Sequence, residues 1–319
     1  MEHFRVNKKI IGWGIFILIL IGIIFFYFTL SKKGLRVLIR VNPCYLFILF
    51  VLWFLYILFD SVKFSILSHI GENRISVKTA FETIVIGIFL AAITPFQMSG
   101  LPVQIYYLYR KNINVGEATS YILLRGMVTF TGILTLALPY SYIFRNTFQG
   151  IMRGIYLYAI FVISMISLVY LLVIFAPNIL KKIIKGKSFE EFMILRLVLL
   201  NALEKRGKRR YLLYAFLSTL LSLAFLGLIP YMVQIAIGIR KFTLFESIGY
   251  QMIVVSSLLF SPTPGGSGIA ETAGSFIFLG NLSSVYVFPF IVLWRFFTFY
   301  LSAIIGGLIF IREGKKLLK

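Results

Sequence analysis

Two arginines lie inside long apolar segments of this sequence, where a charged side chain is costly. Arg125 lies in the run LLRGMVTF and Arg295 lies in the run VLWRFFTF. Placing an arginine at the centre of a membrane helix costs roughly 2.5–3.5 kcal/mol, so such a residue normally faces protein or a wet cavity. Because a guanidinium attracts phosphate and carboxylate groups, the two arginines indicate two anion-attracting points.

A cluster of proline, glycine and serine precedes each arginine at a matching distance. The clusters are TPFQMSGLP at 94–102 and SPTPGGSG at 261–268, and each contains Thr-Pro before Ser-Gly. The arginine follows the threonine by 31 residues in the first case and by 32 in the second. Proline removes a backbone donor and glycine costs entropy in a helix, so each cluster is predicted to break its segment.

A helix break of this kind can bind an anion. The N-terminus of a half-helix presents unpaired N–H groups and about half a positive charge, which attracts phosphate or carboxylate. For either motif alone, a plain kink with a paired arginine is as good an explanation as a binding site. The presence of two matched motifs favours a substrate-binding site. The candidate residues of this site are Thr94, Gln97, Ser99, Gly100, Gln104, Arg125, Thr263, Gly265, Gly266, Ser267, Gly268, Glu271 and Arg295.

Several polar residues near the breaks have more than one interpretation. Glu271 is a partner for the nearby arginine, a contact for a substrate amine or a site that exchanges a proton. Gln97 and Gln104 are donors for a head group or form hydrogen bonds between helices. Asp60 and Lys63 stand three residues apart, and they form a structural pair on one helix face or line a vestibule.

The composition predicts the class of protein that must position these residues. Of 319 residues, 60% are apolar and 13% are charged, whereas a soluble domain is about 45–50% apolar. This excludes a soluble enzyme and predicts an all-α, polytopic integral membrane protein. Two histidines and one cysteine leave little for a metal site, so no metal and no cofactor is expected.

The apolar runs predict one transmembrane domain over 1–319, built from two kinds of segment. Two re-entrant helical hairpins are predicted at 81–109 and 246–280, because lipid tolerates broken backbone only where protein or water covers it. The two repeat motifs, each a hairpin plus the next span, cover 81–145 and 246–311. Six full spans are predicted at 10–30, 43–68, 118–144, 152–176, 211–239 and 284–311.

The distribution of Lys and Arg predicts the orientation. If both termini are cytoplasmic, the inner side carries 21 Lys and Arg and the outer side carries 8, although the 31–42 loop opposes this bias. The two hairpins then open to opposite sides of the plasma membrane, which is an inverted repeat of the kind common in transporters. The positive charge meets anionic lipid head groups, so nucleic acid is not an expected partner.

The longest polar stretch, 177–210, is predicted to be a basic cytoplasmic loop. It ends in KRGKRR and is predicted to contain an interfacial amphipathic helix or to dock a partner. The residues at helical spacing are Phe189, Phe192, Arg196, Leu199 and Leu203.

Both motifs resemble one known family. The stretch SPTPGGSGIAE at 261–271 resembles the signature of the flippase-like membrane domain of lysylphosphatidylglycerol synthases, and the block at 94–126 is similar to the corresponding block of that family. The likeness extends from about 10 to 311. It implies a plasma-membrane protein that moves a lipid between leaflets, in two-part members an aminoacylated phosphatidylglycerol. Since no soluble aminoacyl-transfer domain is found, a stand-alone member without transferase activity is expected.

Three functions are therefore weighed. The first is a flippase or scramblase for a phospholipid or lipid-linked head group, anionic or zwitterionic, with the tails left in the bilayer. The second is a non-transporting partner of a cell-envelope enzyme, and the third is a membrane-embedded lipid transferase using Glu271, Glu117 or Asp60. The expected partners are membrane lipids, with a second copy of the chain and a cell-envelope enzyme left open.

Overall fold

The computed structural model describes residues 32–94, 99–143, 186–204, 206–258, 263–280 and 284–317. Within these ranges all regular structure is helical and no strand occurs, as predicted. The predicted spans 10–30 and 152–176 and the candidate Gln97 lie outside the described residues.

Eleven α-helices are present in the described ranges. They are α1 (Lys32–Ile39), α2 (Pro43–Ser68), α3 (Val77–Ala92), α4 (Gly100–Arg110), α5 (Val115–Ile143), α6 (Lys187–Glu204), α7 (Arg206–Ala236), α8 (Leu244–Leu258), α9 (Ile269–Gly274), α10 (Ser284–Arg295) and α11 (Leu301–Leu317). A 3₁₀ turn (Pro264–Gly266) precedes α9, and π-helical turns (Ser275–Leu279 and Phe296–Tyr300) follow α9 and α10.

Four helical segments of the described chain are long and apolar enough to cross a membrane. They are Pro43–Ser68, Val115–Ala137, Gly207–Ala236 and Val285–Glu313, and each has at least 23 residues. About 20 residues are needed to cross the hydrocarbon core. These helices match four of the six predicted spans, while the full count of six stays a prediction.

The first broken segment folds back on itself. Helix α3 ends at Ala92 and α4 begins at Gly100, so the break falls within the predicted cluster. Near the far ends of the two helices, the Tyr107 hydroxyl donates to Glu82 Oε2 at 2.6 Å. The return of α4 towards the start of α3 follows from this contact.

The second broken segment also folds back. Helix α8 leads into the second cluster, and the returning arm consists of the 3₁₀ turn, α9 and a π-helical turn. The ring of Phe278 on this arm lies 5.5 Å from the ring of Phe242 and 6.1 Å from that of Tyr250, at the other end of the segment. The break predicted from glycine and proline is therefore present, and α9 packs against α8.

The described residues form two compact units. One lies within 1–55, 84–103 and 224–319, and the other within 56–83 and 104–223. In the first unit, the indole of Trp53 donates to Ser302 Oγ and that of Trp294 donates to Gln251 Oε1, each at 2.8 Å. Both of these buried indole N–H groups are thus satisfied, as a buried tryptophan requires.

Candidate functional site

Arg295 is buried at the end of α10 and binds two groups of the second broken segment. Its Nε donates to Oε1 of Glu271 at 3.0 Å, and its Nη2 donates to the carbonyl oxygen of Gly265 at 3.0 Å. The guanidinium carbon lies 4.6 Å from the ring centre of Phe299 and 5.4 Å from that of Tyr300. Because a buried cation without a partner is strongly destabilising, the carboxylate and the rings together hold this charge.

The second carboxylate oxygen of Glu271 caps a helix. It accepts the backbone N–H of Gly268, the N-cap residue of α9, at 2.5 Å. A carboxylate at this position satisfies one of the unpaired donors and interacts favourably with the positive end of the helix. The broken end predicted to attract an anion is therefore capped by an anion of the chain itself.

Three glycines shape the backbone around this pair. The φ angles of Gly265, Gly266 and Gly268 are 60°, 70° and 85°, a region that other residues rarely adopt. A Cβ on Gly265 would lie 2.6 Å from the ring of Phe299, so the turn needs glycine both for its conformation and for space. The carbonyl of Thr263 accepts the N–H of Gly266 at 3.1 Å, which closes the turn.

Ser267 follows this turn and is buried. Only 2% of its surface is exposed. Its hydroxyl oxygen is buried and forms no hydrogen bond with another described residue. The segment beside Arg295 therefore contains Glu271 and the five other candidates of the second motif, namely Thr263, Gly265, Gly266, Ser267 and Gly268.

Arg125 lies in a different cluster, on α5. It forms an ion pair with Asp60 of α2, and Lys63, one turn further along α2, pairs with the other oxygen of the same carboxylate. The Lys63 ammonium also donates to the Thr129 hydroxyl at 2.6 Å. The guanidinium carbon of Arg125 lies 5.6 Å from the ring centre of Phe64.

The two arginine clusters differ in formal charge. Arg295 and Glu271 balance each other, whereas Arg125 and Lys63 share the single carboxylate of Asp60 and leave a formal charge of +1. The Arg125 side chain is 20% exposed, and its Nε has no hydrogen-bond partner among the described residues. Among the described residues, the Arg125 cluster therefore carries a net positive formal charge, while the Arg295 cluster is neutral.

The chain matches one known family over nearly its whole length. The model of the family described as "Lysylphosphatidylglycerol synthase TM region" matches residues 11–306. The chain belongs to this family. The match confirms the resemblance drawn from the two motifs.

A curated relative of this family member is known from an archaeon. The "UPF0104 membrane protein" of Archaeoglobus fulgidus is 25% identical over 323 residues, an alignment that covers 92% of this chain and 94% of that protein. No solved structure matches the chain.

In this lysylphosphatidylglycerol synthase TM-region protein, the first-motif candidates lie at the break between α3 and α4. The Thr94 hydroxyl donates to the carbonyl of Leu90 at 2.7 Å and accepts the N–H of Ser99 at 3.4 Å. Gly100 begins α4, and a Cβ there would lie 3.1 Å from the carbonyl oxygen of Gly87 on α3. Gln104 is buried one turn further on. The ion-pair partner of Arg125 is on α2 instead of on this broken segment.

Some residues of the two clusters were not predicted from sequence. Thr129 and Phe299 each lie four residues after an arginine, at positions 125 and 295, which places them on the same helix face. That spacing is a signal which identifies both. The sharing of Asp60 between Lys63 and Arg125 has no such signal, because α2 and α5 are far apart in sequence. Among the described residues, no group of three or more histidines, cysteines and acids is placed to hold a metal.

The basic loop contains the predicted helix. Helix α6 covers Lys187–Glu204 and packs against α5, with Leu199 buried and Glu191 Oε2 accepting the N–H of Gly116 at 2.6 Å. Residues 206–210 of the run KRGKRR form the start of α7, where the Lys208 ammonium donates to the carbonyl of His69 at 2.9 Å. Residues 187–204 of this stretch are thus helical, and the helix that corresponds to the predicted span at 211–239 begins five residues earlier than expected, at Arg206.

Proposed function

We propose that this protein moves a phospholipid or lipid-linked head group between the leaflets of a membrane, as a flippase or scramblase. The tails stay in the bilayer while the head group crosses a polar groove at the two broken segments. The resemblance to flippase-like membrane domains supports this proposal, as do the two breaks in otherwise apolar helices. A re-entrant arrangement of the breaks provides the polar backbone that a head group needs at depth.

The formal charge of +1 in the Asp60 cluster is the observation that carries the proposal. Two cations share one carboxylate, and one cation keeps a buried, unpaired Nε among the described residues. At an effective dielectric constant of about 20, a unit charge 4 Å from an opposite charge gains about 4 kcal/mol. This matches the cost of burying an arginine in a membrane helix, roughly 2.5–3.5 kcal/mol. An anionic head group therefore completes the cluster.

The Arg295 cluster has a positioning role in this proposal. Its pair is neutral, and it joins the end of α10 to the backbone of the break through Glu271 and Gly265. It keeps the polar backbone of the second break satisfied while a head group passes. A zwitterionic head group would be recognised when its amine replaces Arg295 as the partner of the Glu271 carboxylate.

The proposed setting is the plasma membrane, with both termini in the cytoplasm and the two hairpins in an inverted repeat. The bias of Lys and Arg towards the predicted inner loops supports this orientation, with 21 inside against 8 outside. Membrane lipids are the proposed substrates, and a second copy of the chain remains a proposed partner.

Reconstitution into liposomes tests the function directly. The purified protein is placed in vesicles with fluorescent phosphatidylglycerol, phosphatidylethanolamine or phosphatidylcholine, and the exchange of label between leaflets is followed by quenching from outside. Exchange well above that of empty vesicles for at least one head group is expected. Rates equal to those of empty vesicles for all three lipids would contradict the proposal.

Charge variants test the role of the Asp60 cluster. Arg125→Gln and Lys63→Met each reduce its formal charge to zero, and each is expected to slow exchange of the anionic lipid about tenfold, the effect of 1.4 kcal/mol. The double variant Asp60→Asn/Lys63→Met restores +1 on Arg125 and should recover part of the rate. Lys78→Gln, an exposed cation at the start of α3, is the control. If Lys63→Met transports like Lys78→Gln, the charge of the cluster is not used.

A second candidate is a non-transporting partner of a cell-envelope enzyme. The family description, which names the membrane region of a synthase, favours it. Helix α6 supplies a surface, since Met193 and Leu197, which precede the basic run in sequence, are 37% and 56% exposed. In that case Met193→Ser/Leu197→Ser removes a co-purifying enzyme and leaves lipid exchange unchanged.

A further inference from the structure

The turn between α7 and α8 forms an open cavity that none of the site predictions includes. The cavity has a volume of about 490 Å³, which falls in the range of small-molecule sites. Its polar lining includes Tyr231, Gln234, Arg240, Lys241 and Glu246. All of its residues belong to the first compact unit.

Buried Gln234 holds the shape of this cavity. Its Oε1 accepts the N–H groups of Lys241 at 2.8 Å and Phe242 at 3.2 Å, and its Nε2 donates to the carbonyl of Phe242 at 2.6 Å. Gly238, with a φ of 77°, lies two residues after the end of α7 and begins the turn. The backbone that carries the two cations is therefore fixed by three hydrogen bonds from one side chain.

The cavity carries positive charge that the chain does not neutralise. Arg240 and Lys241 are both exposed, and neither forms an ion pair with a residue of the described ranges. Glu246, the acid in the lining, accepts the N–H and the hydroxyl of Thr243, another lining residue, through its Oε2 at 2.7 and 2.9 Å. The lining has a formal charge of +1 with two cations available.

Apolar side chains next to the cavity place it at a membrane boundary. Leu244 and Phe245, which directly follow the turn, are 37% and 71% exposed. Exposed leucine and phenylalanine beside arginine and lysine are typical of a segment whose apolar residues enter the bilayer while its cations meet the head groups. The anion available at that depth is a phosphodiester.

We propose that the α7–α8 turn is a binding site for a phosphate group, with Arg240 and Lys241 as its ligands. An arginine donates a fork of N–H groups to phosphate oxygens and a lysine adds a point charge. The source of the phosphate is the head group of an anionic phospholipid or a soluble phosphate ester. The site does not depend on the proposed function, since a phosphate can bind there whether or not the protein moves lipids.

The turn is also connected to the second broken segment by packing. Phe242 is buried, with its ring 5.5 Å from that of Phe278, and the Phe278 ring lies 5.5 Å from that of Trp294. Trp294 immediately precedes Arg295 in sequence. The turn therefore packs, through Phe278, against the same helix α10 that carries Arg295.

Lipid binding to two charge-matched variants tests this site. The purified protein in a neutral detergent is titrated with short-chain phosphatidylglycerol, and bound lipid is counted by native mass spectrometry. Arg240→Gln/Lys241→Gln should weaken binding about 25-fold, since each basic residue at a membrane surface contributes about a factor of five. The control Lys33→Gln/Arg36→Gln removes the same charges from exposed positions on α1.

The outcomes separate the two phosphate sources. If millimolar glycerophosphate displaces the bound lipid, the phosphate group alone is sufficient for binding. If the lipid stays bound in the presence of glycerophosphate, the ligand is the whole lipid. Equal weakening in both double variants, or none in Arg240→Gln/Lys241→Gln, overturns the proposal. Because this readout is binding and not exchange, its failure is distinct from failure of the proposed transport.

Discussion

The buried pair of Arg295 and Glu271 is a strong constraint on stability. Both side chains are nearly inaccessible, at 4% and 6% exposure. Removing one partner leaves a buried charge, so Glu271→Gln is expected to lower the free energy of unfolding by about 3–5 kcal/mol. The thermal midpoint in detergent measures this loss. Glu313→Gln is the matched control, because it breaks the pair with Arg312, whose side chain is 55% exposed, and should cost about 0–1 kcal/mol.

The double variant Glu271→Gln/Arg295→Met separates pairing from packing. It removes both charges together, so its loss should be smaller than the sum of the two single losses, with a coupling of about 1–3 kcal/mol. Additive losses would mean that each residue stabilises the protein through other contacts. A Glu271→Gln midpoint equal to that of Glu313→Gln would contradict the importance of the pair.

At the scale of elements, the close approach of α11 to α3 depends on one glycine. A Cβ on buried Gly306 would collide with the backbone carbonyl of Val85, whereas a Cβ on Gly126 of α5 would meet no atom within 4 Å. In membranes, small residues permit such close helix packing. Gly306→Ala is therefore expected to destabilise the protein by about 1–3 kcal/mol.

Gly126→Ala is the control for that variant. It makes the same chemical change in a helix but without a collision, so helix propensity should leave the midpoint unchanged or raise stability by up to about 1 kcal/mol. If both alanine variants unfold at the same temperature, the contact between α11 and α3 is not tightly packed.

The helix breaks around the site were more predictable from sequence than the contacts between its side chains. Proline and glycine act locally, so the breaks after Thr94 and Thr263 follow from composition alone. Pairing with Arg295 was one of three roles predicted for Glu271. The sequence did not decide among them, because the two residues are 24 positions apart and their contact depends on how the chain folds back. The sharing of Asp60 was not predictable, since it depends on the packing of α2 against α5. The π-helical turns after α9 and α10 likewise have no signal in the apolar pattern.

At the scale of the whole molecule, orientation determines whether the two motifs form an inverted repeat. The positive-inside bias predicts that the segments 31–42 and 240–245 face outward and that 110–117 faces the cytoplasm. The loop at 31–42 carries four basic residues and opposes the bias, so it is the part of the topology most in need of a test. If the 31–42 loop is in fact cytoplasmic, the two breaks cannot open in the predicted directions.

Labelling of cysteines in intact cells measures this orientation. The native Cys44 is exposed next to the 31–42 loop and serves as one reporter. Lys241→Cys and Asn114→Cys, both made in a Cys44→Ser background, report on the other two segments. A membrane-impermeant maleimide should label Cys44 and the Lys241→Cys variant in intact cells, and label Asn114→Cys only after permeabilisation. If Lys241→Cys and Asn114→Cys are labelled from the same side, the two broken segments begin and end on the same side of the membrane. An inverted repeat does not allow that arrangement.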